Sequence, residues 1–499
     1  MNTAWKWSLI YVGMGLFSLC VWWSLPRPAS SCKTPLSWLS WNGPERLRQA
    51  AEFNELNPEC HLTIDPNNMG VTKVVVQCSA NMGGDIIDFV NQKNIQTYQS
   101  AGIIKDLTED AKRLGFGLDT IPKQMYPLVC LKVLDKNGDI KMRQFSYPLN
   151  LYHSYIIYNK DIFDKYGVPY PPEDLTWGKY IEIAQKLTVY QNKDDKIPEV
   201  FGAKGVIPII LVWEKGGRIM NRDGTRCLLN SKETLNALCF FHDLIYKYKV
   251  EPTATMAAGV TTSDGLKANY SWLCDGKLAM SFGARWYLMM MRPYFKERQQ
   301  EIDAWEKAHP GEKYAGPKPY RFGACLAPRF KNGPRYTDCG GRCAALNAAS
   351  PHLDEALKFM SYAAGKDYAQ QIIDIADSKP PNRKFYRKEL FCSREYPGEK
   401  EIHDMSIEAI KYGYMENLSP LIDNAIVHRE YLELISKIRS NPDLDREDIQ
   451  ELADYSADII NRKIAENIAK NKLARKFYRK IIAGGGEPAL YYKEGDGKK

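Results

Sequence analysis

The chain has 499 residues, 44% of them hydrophobic and 12% aromatic, a balance that encodes packed cores and excludes a disordered polymer. That length exceeds the ~100–200 residues usual for one domain, so two or three cores are expected. The formal net charge is +8, but from Ile460 onward eleven Lys and Arg stand against four Asp and Glu, so the excess belongs to the C-terminal end and the nearly neutral remainder argues against a nucleic-acid partner.

From Trp7 to Leu25 the chain carries no charged residue. At ~1.5 Å per residue this run is long enough to cross a hydrocarbon core of ~30 Å. It reads as a signal peptide or a retained membrane anchor: Trp22 and Trp23 suit a membrane interface, and Ala29 to Cys32 offer only a poor cleavage site. Lys6 on one side and Arg27 and Lys33 on the other leave its direction unassigned.

Beyond it, short apolar runs alternate with helical patterns. Leu36 to Ser40, His61 to Ile64 and Ile86 to Val90 read as strands, and Pro44 to Leu56 as a helix with Pro at its first position. Such alternation implies parallel sheets in a doubly wound α/β arrangement. Asp135-Lys136-Asn137-Gly138 and Arg222-Asp223-Gly224 read as hairpin turns, since Asn-Gly and Asp-Gly accept positive φ at little cost. Ser154 to Tyr158 has the composition of a buried strand, and Asp161 to Tyr166 that of a short helix stopped by Gly167. Pro169, Pro171 and Pro172 hold the chain extended before Thr176, which caps a helix with Trp177, Tyr180, Ile181, Ala184 and Leu187 on one face. Ser350-Pro351 opens another helix through Ala356, Phe359 and Met360; after Glu401 the pattern is almost wholly helical until Gly484 to Gly486 begin a polar tail expected to be mobile.

Twelve cysteines occur without a CxxC pair, and the seven histidines show no metal-ligand spacing, so no metal site is expected. Most of these thiols should be buried and free, although an exported body would allow a disulfide between Cys339 and Cys343. A GxSxG elbow, a phosphate-binding GxxxxGK[ST] loop and an HExxH helix are all absent from the sequence.

The segment YNKDIFDKYGVPYPP, from Tyr158, followed by TWGKYIEIAQKLT, from Thr176, resembles the entry to the second lobe of family 1 extracellular solute-binding proteins, the sugar-binding receptors of ABC importers. Four further stretches are similar to that family in the same order: Trp38 to Pro58, Gly216 to Pro252, Asp275 to Leu288, and Cys339 to Gly365. The resemblance spans roughly Thr34 to Lys480 and implies a two-lobed α/β fold of type II, with three hinge crossings near Tyr147, Phe322 and Tyr362. Residues 1–33 would then be signal peptide or anchor with its linker. Residues 34–147 plus 322–362 would form lobe one, 148–321 plus 363–480 lobe two, and 481–499 a flexible tail.

The resemblance further implies a receptor located outside the cytoplasm that captures a mono- or oligosaccharide and delivers it to the permease subunits of an ABC importer, without a cofactor and without chemistry of its own. A sugar site needs planar polar groups for hydroxyls and aromatic rings for CH faces. At matching positions stand Asn42 and Glu45 after the first strand, Asn91 and Gln92 after the third, Tyr152 in the first crossing, Trp213, Arg285 and Trp286, and the close pair Gly340 and Gly341. Each has a plain alternative: packing for Trp213 and Trp286, a surface ion pair for Arg285, a helix cap for Asn42. Two other classes stay open, a carbohydrate-active enzyme with paired carboxylates and a membrane-anchored ligand sensor.

Overall fold

The computed structural model describes residues 33–493 except 67–69, 91, 193, 261–267, 317 and 388–395. The expected membrane segment lies outside the described residues, and no helix among the described residues is long and apolar enough to cross a membrane.

Strand β1 (Thr34–Leu39) buries Leu36, Trp38 and Leu39 and runs parallel to β2 (Cys60–Asp65) and β3 (Ile86–Phe89). With β13 (Cys343–Leu346) and β6 (Tyr147–Pro148) these form a sheet in the order β2-β1-β3-β13-β6. The helix Pro44–Leu56 starts with its proline where a backbone N–H has no partner to lose; it buries Ala50 and sets Phe53 against Phe359 and Tyr362. These side chains belong to the core of the first lobe.

In the second lobe, β8 (Tyr155–Asn159) lies between β10 (Leu278–Gly283) and β11 (Phe322–Cys325), with β9 (Phe201–Lys204) beyond β10. All five residues of β8 are buried. Its period of two sends Ile156 and Tyr158 into one core and Tyr155 and Ile157 into another, so both faces of this sheet are covered. Asn159 caps the helix Lys160–Tyr166, which ends at Gly167 with φ 63°, and Thr176 caps Trp177–Lys186 through the N–H of Lys179. Asp135 accepts hydrogen bonds from the N–H groups of Asn137 and Asp139, turning β4 (Cys130–Leu134) into β5 (Ile140–Gln144) as the Asn-Gly pair foretells.

A third, small sheet joins the lobes. It contains β7 (Tyr152–His153), β12 (Thr337–Gly340) and β14 (Gly413–Tyr414), with β12 antiparallel to β7 and parallel to β14. Residues 149–154 and 326–342 carry the chain between the large sheets, and the backbone of Lys379 bonds both ways with Leu151 beside the first crossing.

Near the second expected crossing, Phe322–Cys325 pairs with β8 in register Phe322↔Asn159 and completes the second sheet. Near the third expected crossing, Tyr362 donates to Glu52, and the next helix, Lys366–Asp374, buries Tyr368 and Ile372 in the first core. The helical pattern after Glu401 is broken from β14 to Asp423, where Ser419 and Pro420 precede the helix Asn424–Ser440. The tail expected to be flexible packs on the second lobe as far as Tyr492, whose ring meets Tyr478 at 5.1 Å, while Ala489 N–H donates to the Tyr478 hydroxyl. Cys339 and Cys343 are buried free thiols.

Candidate functional site: the interlobe cleft

The lobes face each other across a cleft of about 340 Å3 whose lining includes the hinge strands through Tyr152, Asp338, Cys339, Gly340 and Tyr414. The first lobe contributes Val90, just past β3, and Gln92 and Lys93, which begin the helix Gln92–Ser100. The carboxyl ends of parallel strands are where α/β sheets commonly receive ligands. The second lobe contributes Trp213 near the end of the helix Pro208–Glu214, and Asn424, His428 and Tyr431 from the helix Asn424–Ser440. Close approach in this region depends on glycine. A Cβ at Gly340 would stand 2.8 Å from the Tyr152 ring, and one at Gly341 would stand 2.1 Å from the carbonyl oxygen of Asn150.

Two carboxylates are held here by different means. Glu416 accepts from Trp213 Nε1 at 2.7 Å and from the backbone N–H groups of Ile219 and Met220 at 3.1 and 3.4 Å. Burial nevertheless raises its pKa. Asp338 accepts a bond 3.2 Å long from the Tyr152 hydroxyl, and burial pushes it up to about 6. The Trp213 ring lies edge-on to Tyr414 at 4.9 Å between centroids, and the Arg218 guanidinium sits over the Tyr414 ring at 4.9 Å. The Tyr431 hydroxyl and Gln92 Oε1 are buried and have no hydrogen-bond partner among the described residues. Buried polar atoms of this kind normally find a partner, so both are open positions for a polar ligand. Rings beside unfilled polar groups can hold a molecule that has both apolar faces and hydroxyl edges.

Among the residues singled out from sequence, Gln92, Tyr152, Trp213 and Gly340 come together on this cleft. Gly341 lies just past the end of the hinge strand β12. Asn42 is exposed just past β1 and does not cap the helix, whose cap position is Gly43. Glu45 folds back over Gly43, and its Oε1 is buried without a hydrogen-bond partner among the described residues. Asn91 lies outside the described residues.

Arg285 and Trp286 stand elsewhere. Arg285 is fully buried, and its guanidinium donates to the carbonyls of Ile372, Ile373 and Ser378 at 3.2, 2.7 and 2.6 Å and to His403 Nδ1 at 3.0 Å. It thus caps the end of the first-lobe helix Lys366–Asp374 from the second lobe, and burial pulls its pKa down to about 10. Trp286 packs edge-on to Tyr287 at 4.6 Å and Tyr270 at 6.3 Å.

Asp338, Tyr414, Glu416 and Tyr431 were not legible as cleft residues. Tyr414 and Glu416 fall in a stretch that reads as helix, although Gly413 and the Ser-Pro pair at 419–420 were signals of a loop. Asp338 precedes Cys339 in a strand too short to announce itself, and Tyr431 sits on an ordinary amphipathic helix.

The family model described as bacterial extracellular solute-binding protein matches residues 44–370. Among solved structures, an ABC substrate-binding protein from Listeria monocytogenes in complex with cycloalternan is similar, with TM-score 0.65 and 20% identity, over 87% of this chain and 99% of its own. An ABC transporter solute-binding protein from Thermotoga lettingae bound with α-D-tagatose has TM-score 0.63 and 16% identity, over 87% and 100% of the two chains. A maltose/maltodextrin-binding domain from Bdellovibrio bacteriovorus bound to maltotriose has TM-score 0.60 and 15% identity, over 86% and 100%. A family match over most of the chain, joined to two lobes that share a hinge and a cleft, settles the relationship: the chain belongs to the bacterial extracellular solute-binding protein family.

Proposed function

We propose that this protein is a receptor outside the cytoplasm that captures a carbohydrate between its lobes and hands it, unaltered, to an ABC importer in the membrane. The observation that carries the reading is one cleft in which Trp213, Tyr414 and Tyr152 offer rings while Asp338, Gln92 and Tyr431 offer hydrogen-bonding atoms. Family membership supports capture and delivery, and the relatives from Thermotoga lettingae and Bdellovibrio bacteriovorus are bound to sugars. Gln92, Tyr152, Trp213, Asp338, Tyr414 and Tyr431 are the proposed contacts; Asn42 and Glu45 would form the outer rim of the first lobe. Lobe one would comprise residues 34–148 with 343–374, and lobe two residues 155–325 with 400–493. If residues 7–25 stay attached, they would hold the body close to its permease and raise its effective concentration there.

Asp338 and Glu416 also invite an enzyme reading, since glycoside hydrolysis uses two carboxylates. Glu416 argues against it, because Trp213 and two backbone N–H groups already engage its oxygens. A thermal-shift screen against mono- and oligosaccharides tests the proposal. A ligand well above its Kd should raise the melting temperature by about 2 °C or more, and chromatography afterwards should recover it intact. A sugar that is consumed would move the protein to the enzyme class; the absence of any shift across the panel would remove carbohydrate as the ligand.

A further inference from the structure

Asn417 and Leu418 border three separate spaces between the lobes: the cleft of about 340 Å3, a groove of about 210 Å3 beside Asn221 to Gly224, and a crevice of about 80 Å3 beside Leu473 and Phe477. One stretch of chain, Tyr414 to Pro420, therefore divides what would otherwise be a continuous trough. We infer that this stretch is a fixed strap that ends the cleft and restricts the ligand to a saccharide of one or two rings. The inference rests on the carbohydrate reading above and adds a size limit to it.

The strap is pinned on both sides. To the second lobe, Glu416 accepts from Trp213 Nε1 and from the N–H groups of Ile219 and Met220, and Ser419 Oγ donates to the carbonyl of Gly224 at 2.6 Å. Gly224 has φ 72°, and a Cβ there would stand 3.0 Å from Ser419 Cα, so the turn can approach the strap only as glycine. To the first lobe, the Gln96 side chain makes one bond to the strap itself and three to the residues just after it. Its Nε2 donates to the carbonyls of Ser419 and Ile422 at 2.9 and 3.0 Å, and its Oε1 accepts from Asn424 N and Asn424 Nδ2 at 2.9 and 2.7 Å. Gln96 lies one turn beyond Gln92 and Lys93 on the same helix, so this clasp stands at the end of the cleft.

Size follows from the partition. Small-molecule sites span roughly 300–1,000 Å3. The cleft alone is at the foot of that range, and only the three spaces joined would reach its middle. A longer saccharide must displace the strap and break the bond from Gln96 to the Ser419 carbonyl, whereas a short one leaves it in place. Forcing extra atoms into a packed site should cost at least about tenfold in affinity.

Calorimetry on the full-length protein with α- and β-linked glucose saccharides of one to four rings, together with D-tagatose, tests this. Affinity should peak at one or two rings and fall at least about tenfold at three. In Gln96→Ala the strap loses its hydrogen bond to the first lobe and keeps only the packing of Met415 and Leu418 there, and the fall should shrink to about threefold or less. A three- or four-ring saccharide that binds the unaltered protein as tightly as the two-ring one overturns the strap and leaves the carbohydrate reading in place. Should Gln96→Ala fail to fold, the ligand-length series on the unaltered protein decides alone. If no saccharide binds at all, the carbohydrate reading falls and the inference falls with it.

Discussion

Asp338 is a carboxyl group held where charge is disfavoured. Its pKa is about 6 in the folded protein against an ordinary 3.8, chiefly because burial penalises the anion. The native state therefore holds this proton more tightly than the unfolded chain does. The favourable contribution is intact below about pH 4 and is lost as the pH rises through about 6. Asp338→Asn keeps an oxygen for the Tyr152 hydroxyl. It should raise the unfolding free energy near pH 7.5 by up to about 3 kcal/mol and change it little near pH 4, as read by urea denaturation at the two values. Equal effects at both would mean that Asp338 is not a strained anion. Trp213 makes the complementary case: only 4% of it is exposed, yet it borders the cleft, so one ring both packs the lobe and faces a ligand. Its two readings from sequence, stacking and packing, are compatible at this position. Arg285 is the residue that sequence placed worst. An arginine at the end of an apolar strand looks like a cleft residue, but its partners are the carbonyls at the end of a helix more than eighty positions later, and nothing local reveals them.

At the scale of elements, capped helices and buried strands were readable because local chemistry determines them. Thr176, Gly167 and the Asp135 turn all stand where their side chains or backbone freedom require. The crossings were harder. A four-residue strand such as Phe322–Cys325 carries no mark of which sheet it joins, and its partner, β8, lies some 160 positions earlier. The strap and the packed C-terminal segment escaped for the same reason, since loops held by distant side chains look like ordinary polar connections. The contact between Arg285 and the helix Lys366–Asp374 makes a direct prediction at this level. Arg285→Met leaves the Ser378 carbonyl without its donor, while Ile373 keeps the N–H of Ala376, and should cost about 1–3 kcal/mol of stability, measured by chemical denaturation. Ligand affinity should stay within about threefold, because the guanidinium is remote from the cleft. A large loss of affinity with stability unchanged would return Arg285 to the binding site.

For the whole molecule, two lobes each with its own core meet at strands too short to resist rotation strongly. Such an arrangement favours rigid-body closure about a hinge, with the ligand stabilising whichever arrangement it contacts from both sides. The Gln96 clasp ties the two lobes together in the ligand-free arrangement. Small-angle scattering should accordingly give a smaller radius of gyration with a saturating sugar than without it, and Gln96→Ala should enlarge the difference by loosening the unliganded protein. An identical radius in every state would mean that the lobes do not move. The most direct test of the central claim remains a calorimetric titration of the full-length protein with the sugar panel, with each mixture assayed afterwards for breakdown. The account predicts saturable binding of an intact saccharide, weakened at least about tenfold by Trp213→Ala. Binding that Trp213→Ala leaves untouched, breakdown of the sugar, or no binding of any sugar would contradict it.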